Sequence, residues 1–145
     1  MTGPLRSPVN GRLGRVLVVD DEPTIRRLVS LNLIKAGYEV VEAEDGAEAI
    51  ATLNADDNPL MVDVILCDLR MPRINGQDAI AYFRNQYQSV PVVVLTGYPD
   101  LELAVMLLKQ GVREYLIKPV TKERLLEVVQ AAVARRRILE DQFLV

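Results

Sequence analysis

The chain has 145 residues, 20 of them acidic and 17 basic, with one cysteine and neither histidine nor tryptophan. That length fits a single domain, and an apolar share of 50% is enough to bury a core. Without imidazole there is no Ser-His-Asp or Cys-His nucleophile, no phosphohistidine within the chain and no histidine-held metal; one cysteine allows neither an internal disulfide nor a cysteine-cluster zinc site.

Short apolar runs alternate with helical patterns along the whole chain. Residues 16–19, Val-Leu-Val-Val, carry no polar alternation and predict a strand buried on both faces. Pro23 suits the first turn of a helix carried by Ile25, Leu28, Val29, Leu31 and Leu33, with Gly37 as its stop. Residues 39–43 form the second strand. Asp45 with Glu48 three positions later is a capping-box signature, opening a helix to about Asn54. Residues 55–61, containing Asn58-Pro59, read as a loop, and residues 62–67 as the third strand. Gly76 precedes a helix through Ala79, Ile80 and Phe83. Residues 90–95 are the fourth strand, with Pro91 near its start, where a missing donor is tolerable. Residues 100–110 are the fourth helix, stopped by Gly111. Residues 114–117 are a short fifth strand, and Thr121 caps a long final helix with core positions Leu125, Leu126, Val129 and Val133. Five βα units in series predict a mostly parallel sheet with helices on both faces.

The net charge of −3 is unevenly spread. It is +3 over residues 1–15, −7 over residues 16–120 and +1 over residues 121–145. An acidic body argues against direct contact with nucleic acid or an anionic membrane. No run approaches the ~20 apolar residues of a membrane span. Residues 1–13 read as a flexible leader without a signal-peptide core, and the cytoplasm is the expected compartment.

In open α/β sheets ligands bind beyond the carboxyl ends of the strands. The first strand ends in Asp20-Asp21, the third at Asp68, the fourth at Thr96-Gly97 and the fifth at Lys118-Pro119. Any one of these alone reads as a loop residue or a cap. Four strand ends with such chemistry point to a site. No G-x-x-x-x-G-K-[ST] loop occurs, which argues against a P-loop NTPase. If Asp20, Asp21 and Asp68 converge, they repel unless cations intervene. With Lys118 the cluster totals −2, which suits a hard divalent cation such as Mg²⁺. Carboxylate, metal, lysine and hydroxyl together fit phosphoryl transfer, with an aspartate as nucleophile.

The stretches Val16-Leu-Val-Val-Asp-Asp-Glu22, Asp68-Leu-Arg-Met-Pro72 with Gly76, Val93-Val-Leu-Thr96 and Tyr115-Leu-Ile-Lys-Pro119 resemble the receiver domains of two-component response regulators, the chemotaxis regulators among them. The resemblance covers residues 14–135, which makes residues 136–145 a helical extension or the start of a linker. It implies a flavodoxin-like (βα)5 three-layer sandwich with strand order 2-1-3-4-5. It further implies that Asp68 is the phosphoacceptor. Mg²⁺ (or Mn²⁺) would be held by Asp21 directly, by Asp20 mainly through water, by Asp68 and by the backbone carbonyl of Arg70. Lys118 would pair with Asp68 at rest and with the phosphoryl group afterwards. Thr96 and the backbone N–H of Gly97 would contact phosphoryl oxygens, and the peptide before Pro119 would be cis. The switch would run through Thr96 and Tyr115 to the surface of helix four, strand five and helix five. The domain would be a regulatory phosphoacceptor that catalyses its own phosphorylation and dephosphorylation, not a dedicated enzyme. Its donor would be a histidine kinase or a histidine phosphotransfer protein, and the switching surface would control an output domain or partner, a homodimer included.

Some residues carry readings of their own beside those motif roles. Arg70 and Tyr98, two positions beyond Asp68 and Thr96, are bulky enough to screen an attacking water and slow dephosphorylation. On helix four, Ala104, Leu107 and Leu108 form the expected core face, leaving Met106, with Leu103, as a partner contact. The triplet Arg135-Arg-Arg137 reads as a solvated helix end, and Cys67 as a small core residue. Three other functions compete. A haloacid-dehalogenase-like phosphatase wants Asp-x-Asp, whereas Asp68-Leu-Arg70 lacks the second acid. An FMN binder wants a Ser/Thr-rich loop after the first strand, where two aspartates stand. A degenerate receiver that only binds partners would not need the complete acceptor set.

Overall fold

The computed structural model describes residues 12–69 and 76–142, with side chains in the last helix described as far as residue 138. The elements run β1 (Arg15–Val19), α1 (Pro23–Lys35), β2 (Glu39–Ala43), α2 (Gly46–Leu53), a one-turn helix (Asn58–Met61), β3 (Val62–Asp68), α3 (Gly76–Gln86), β4 (Val92–Thr96), α4 (Leu101–Lys109), β5 (Glu114–Ile117) and α5 (Lys122–Gln142). All strand pairs are parallel and the order is β2-β1-β3-β4-β5. The order expected from the resemblance is the one found.

Successive residues of a strand face opposite sides, so an unbroken apolar run feeds two cores. Leu17, Ile65 and Val94 face one side, packed by Ala49 and Leu53 of α2, Ile80 and Phe83 of α3 and Leu107 of α4. Val16, Val18, Val64, Leu66 and Val93 face the other, covered by Leu33 of α1 and by Leu125, Val129 and Val133 of α5. The caps fall where the sequence places them. The Asp45 side chain accepts from the Glu48 N–H at 2.8 Å. Thr121 Oγ1 accepts from the Arg124 N–H at 3.1 Å and starts α5.

Three expectations change. The loop of residues 55–61 contains a helical turn, because Asn58 ties it locally: its amide donates to Thr52 O at 2.8 Å and its Oδ1 accepts from Arg15 Nη1 at 2.8 Å. On α4 the buried stripe is Ala104 and Leu107, with half-buried Leu103 packed beside them, while Leu108 is exposed. At about 100° per residue the stripe centres between Leu107 and Ala104, which turns Leu108 outward with Leu101 and Val105. Leu103 therefore packs, half-buried, against the core, and Met106 is the more exposed of the two.

The third change is at the basic triplet, of which only Arg135 is solvated. Arg136 is buried and donates to Leu60 O at 3.5 Å. Arg137 donates to Leu13 O and lies 3.9 Å from the buried carboxylate of Asp63. A buried carboxylate at the start of β3 needs partners: the Arg15 N–H donates to it at 3.1 Å, and α5 is long enough to bring the Arg137 charge. Leu13, read as leader, also donates its N–H to Gly37 O at 2.9 Å. Residues 1–11 and the final three lie outside the described residues. Among those described, no helix is long and apolar enough to cross a membrane.

Candidate functional site

Parallel pairing sets β1 beside β3, and β3 beside β4, so the carboxyl ends of these strands gather their last side chains. Asp20 follows β1 and is buried; Asp21, next to it, is exposed; Asp68 ends β3 and is buried. Carboxylate oxygens of all three lie within 4.8 Å of one another. Asp20 is fixed from several sides. Its N–H donates to Ala43 O at 3.1 Å, and its Oδ1 accepts from the Glu22 N–H at 2.9 Å. Its carbonyl accepts from Arg26 Nη1 at 2.7 Å, and Arg26 is itself paired with Glu42 at 3.2 Å. Arg26 was not singled out in the sequence, where it is one of two adjacent arginines on a helix and carries no distinguishing mark.

Lys118, one residue past β5, reaches into the cluster. Its Nζ lies 2.8 Å from Asp20 Oδ2 and 3.5 Å from Asp68 Oδ2. The closer partner is thus Asp20 rather than the expected Asp68. Asp20 has its other oxygen held by Glu22 and turns the free one toward the lysine. Burial of the ammonium works to lower its pKa. The hydrogen bond to Asp20 and the charges of Asp20 and Asp68 outweigh that and hold it above the ordinary lysine value. The cluster therefore carries three carboxylates against one ammonium.

Thr96 ends β4 and is almost fully buried. Its Oγ1 accepts from the Tyr98 N–H at 3.1 Å, and its carbonyl from the Lys118 N–H at 2.8 Å. The Lys118–Pro119 peptide is cis. Tyr98 is exposed, with Gly97 beside it open to solvent. Tyr115 on β5 is half-buried against the α2–α3–α4 side; its hydroxyl is shut off from solvent and has no partner among the described residues. Cys67 is buried, and burial together with the charges of Asp68 and Asp20 pushes its thiol pKa far up, so it has no thiolate character. Arg70 lies outside the described residues.

Gly76 holds the acceptor strand and α3 together. A Cβ there would stand 2.3 Å from the Asp68 carbonyl oxygen and 2.5 Å from Leu69 Cα, both backbone atoms that cannot step aside. Gly76→Ala is expected to lose about 1–3 kcal/mol in urea unfolding. Gly97→Ala, where nothing lies within 4 Å, is expected to stay within about 0.5 kcal/mol. Equal losses in the two variants would refute the close-approach account.

The donors are all oxygen and the cluster is electronegative, which fits a hard divalent cation and not a thiophilic metal. A parallel five-stranded sheet with carboxylates, lysine and threonine at its carboxyl edge defines a receiver-type flavodoxin-like protein. The family described as response regulator receiver domain matches residues 16–130, and the chain belongs to that family. Among relatives, it is 35% identical over 127 residues to the transcriptional regulatory protein GlrR of Escherichia coli strain K12, covering 88% of this chain but 28% of GlrR. It is 34% identical over 122 residues to the chemotaxis protein CheY1 of Helicobacter pylori strain J99, covering 82% of this chain and 96% of CheY1. A crystal structure of a response regulator receiver domain protein from Clostridium thermocellum superposes with a TM-score of 0.82 at 33% identity, covering 88% of this chain and 99% of that one. The chain thus spans little more than a quarter of the length of GlrR, and nearly all of CheY1. The general function of this family is phosphorylation-dependent signalling in two-component systems, and its members bind Mg²⁺ through an acidic pocket.

Proposed function

We propose that Asp68 accepts a phosphoryl group from a phosphohistidine on a separate kinase or phosphotransfer protein. The observation that carries this reading is the meeting of three carboxylates within 4.8 Å, with Lys118 bridging Asp20 and Asp68. An Asp68 carboxylate oxygen bonds to phosphorus, the phosphorus–nitrogen bond of the donor breaks, and the imidazole leaves with the electron pair. Phosphoryl transfer needs little beyond positioning and positive charge; Lys118 supplies one positive charge and the acidic cluster suits a divalent cation that would supply more. Asp20, Asp21, Asp68 and the backbone carbonyl of Arg70 are the groups to hold Mg²⁺ or Mn²⁺. The ion when bound supplies charge neutralisation for the phosphoryl oxygens. Lys118 meets one oxygen of the arriving group, while the Thr96 hydroxyl and Gly97 N–H meet others. The same groups support the reverse step, in which water takes the phosphoryl group away; Arg70 and Tyr98 screen that water.

The test uses acetyl phosphate as a small donor. Intact-mass spectrometry is expected to find one added phosphoryl group with Mg²⁺ and none with a chelator. No adduct under either condition overturns the reading.

Signalling follows from movement at two residues. When Thr96 swings to the phosphoryl group it leaves space beside Tyr115. The solvent-shielded Tyr115 hydroxyl, lacking a partner, supports a ring that exchanges between packings. The output surface is α4, β5 and α5. α4 exposes Leu101, Val105 and Leu108, spaced i, i+4, i+7 on one side, with Met106 exposed farther round and Ile117 exposed on β5. Such a stripe fits a partner, a second copy included. Val105→Asp, at the middle of the stripe, is expected to abolish any phosphoryl-mimic-dependent self-association in sedimentation velocity, leaving Asp68 phosphorylation intact. Self-association that survives Val105→Asp would refute the stripe as its surface. The receiver unit covers residues 14–135, with Leu13, Arg136 and Arg137 tied onto it, and works in the cytoplasm.

A further inference from the structure

The end of the sheet opposite Asp68 carries a second concentration of charge. Arg84 in the last turn of α3, Arg113 just before β5 and Arg135 on α5 line a pocket of about 300 Å³ with Gln88, Ser89 and Gly111. Among the described residues none of these three arginines is ion-paired, whereas Arg15, Arg26, Arg27, Arg124 and Arg137 each have a carboxylate partner.

Arg84 is held in place. Gly111 has φ of +102°, and a Cβ there would come 2.8 Å from Arg84 Nη2 and 2.9 Å from its Nε, so the guanidinium rests directly on the glycine. Its Nη1 donates to Gln88 O at 3.3 Å. Its Nε is shut off from solvent and has no acceptor. A guanidinium keeps its proton and offers five donors in a fixed fork. A shielded donor without an acceptor, among three like charges, is an arrangement that an oxyanion completes. The volume exceeds that of a bare oxyanion and lies at the small end of small-molecule sites.

We propose that this pocket binds a small phosphate-bearing molecule, its phosphate oxygens on Arg84, Arg113 and Arg135 and its remainder beside Gln88 and Ser89. The site lies at the amino ends of β4 and β5, uses no carboxylate or metal, and does not depend on the role of Asp68. Inorganic phosphate and a phosphate ester share the chemistry, and size separates them.

The test uses the full chain carrying Asp68→Asn in the presence of a chelator, so that the acidic cluster takes no part. Inorganic phosphate, pyrophosphate and AMP are titrated at low ionic strength, read by calorimetry and by the Arg84 Nε–H signal in NMR. Saturable binding with a dissociation constant below about 1 mM for at least one probe is expected. The Arg84 signal should shift, and Arg113→Gln and Arg135→Gln should each weaken binding about tenfold. Arg113 and Arg135 are exposed, so both variants should keep the parent urea transition. AMP binding tighter than phosphate identifies the ester as the ligand class; equal binding identifies the anion itself. No saturable binding by any probe up to about 20 mM, or affinity unchanged in both variants, overturns the proposal.

Discussion

Asp68→Asn is expected to remove the phosphoryl adduct completely while raising the thermal midpoint of the metal-free protein. The two effects share one cause. Asp68 lies at the end of β3, with carboxylate oxygens of Asp20 and Asp21 within 4.8 Å and the Lys118 ammonium at 3.5 Å. Three carboxylates face one ammonium, so removing one negative charge relieves more repulsion than it forfeits attraction. A charge pair at such range is worth about 1 kcal/mol at the aqueous limit and more toward the interior. For a chain of this size each kcal/mol moves the midpoint by about 2–4 °C. Asparagine keeps the shape, so the fold has no reason to fail. The amide neither attacks phosphorus nor holds a cation as a carboxylate does. Calorimetry with and without Mg²⁺ reads both signs: the parent chain gains stability on adding the ion, and Asp68→Asn gains less. A variant less stable than its parent without metal would refute the picture of a strained acidic cluster.

That strain explains why so much of the site was legible in the sequence. A carboxylate at a strand end is ordinary, but Asp20-Asp21 and Asp68 end two strands that a 2-1-3-4-5 order makes neighbours. The apolar runs Val16-Leu-Val-Val19 and Val92-Val-Val-Leu95 carry no polar alternation, and only a sheet covered on both faces accommodates that. Periodicity and caps therefore predict the alternating strands and helices, and the resemblance supplies the strand order. What they could not supply was the choice between nearly equal partners. Lys118 reaches Asp20 more closely than Asp68 because of a backbone hydrogen bond from Glu22, and backbone detail of that kind leaves no trace in side-chain spacing.

The same limit applies on the surface. Leu108 has the right residue type and nearly the right phase for the core of α4. About 40° of rotation about the helix axis separates it from Ala104, and that is enough to leave it in water. Arg137 looks like solvent-facing charge until Asp63, more than seventy residues earlier, is seen to be buried at the start of β3. A buried acid in an apolar run is the signal that was available. Val62-Asp-Val-Ile-Leu-Cys67 contains one charged residue, and a strand covered on both faces has to satisfy it with a donor from elsewhere.

Lys118→Ala is expected to lower phosphoryl uptake as Asp68→Asn does, but to move stability the other way. Deleting the ammonium leaves Asp20 buried with its Oδ2 stripped of a 2.8 Å donor, beside two further carboxylates. An unsatisfied group of this kind costs about 1–3 kcal/mol. Lysine is not the nucleophile, so some transfer remains with Mg²⁺ present. Loss of one preorganised positive charge facing the phosphoryl oxygens should slow uptake about a hundredfold. The pH dependence has a definite sign. The folded protein holds the Lys118 proton more tightly than the unfolded chain, because Asp20 and Asp68 outweigh its burial. The pair's contribution is therefore complete below the unfolded lysine value of about 10.4 and fades as the pH climbs through the higher folded value. The stability gap between parent and Lys118→Ala should stay level from neutral pH to about pH 9 and close only in strong alkali. A gap that closes near neutrality, or a variant more stable than its parent, would mean that Lys118 does not neutralise the cluster. Asp68→Asn and Lys118→Ala thus separate charge from general damage, since damage would lower stability in both.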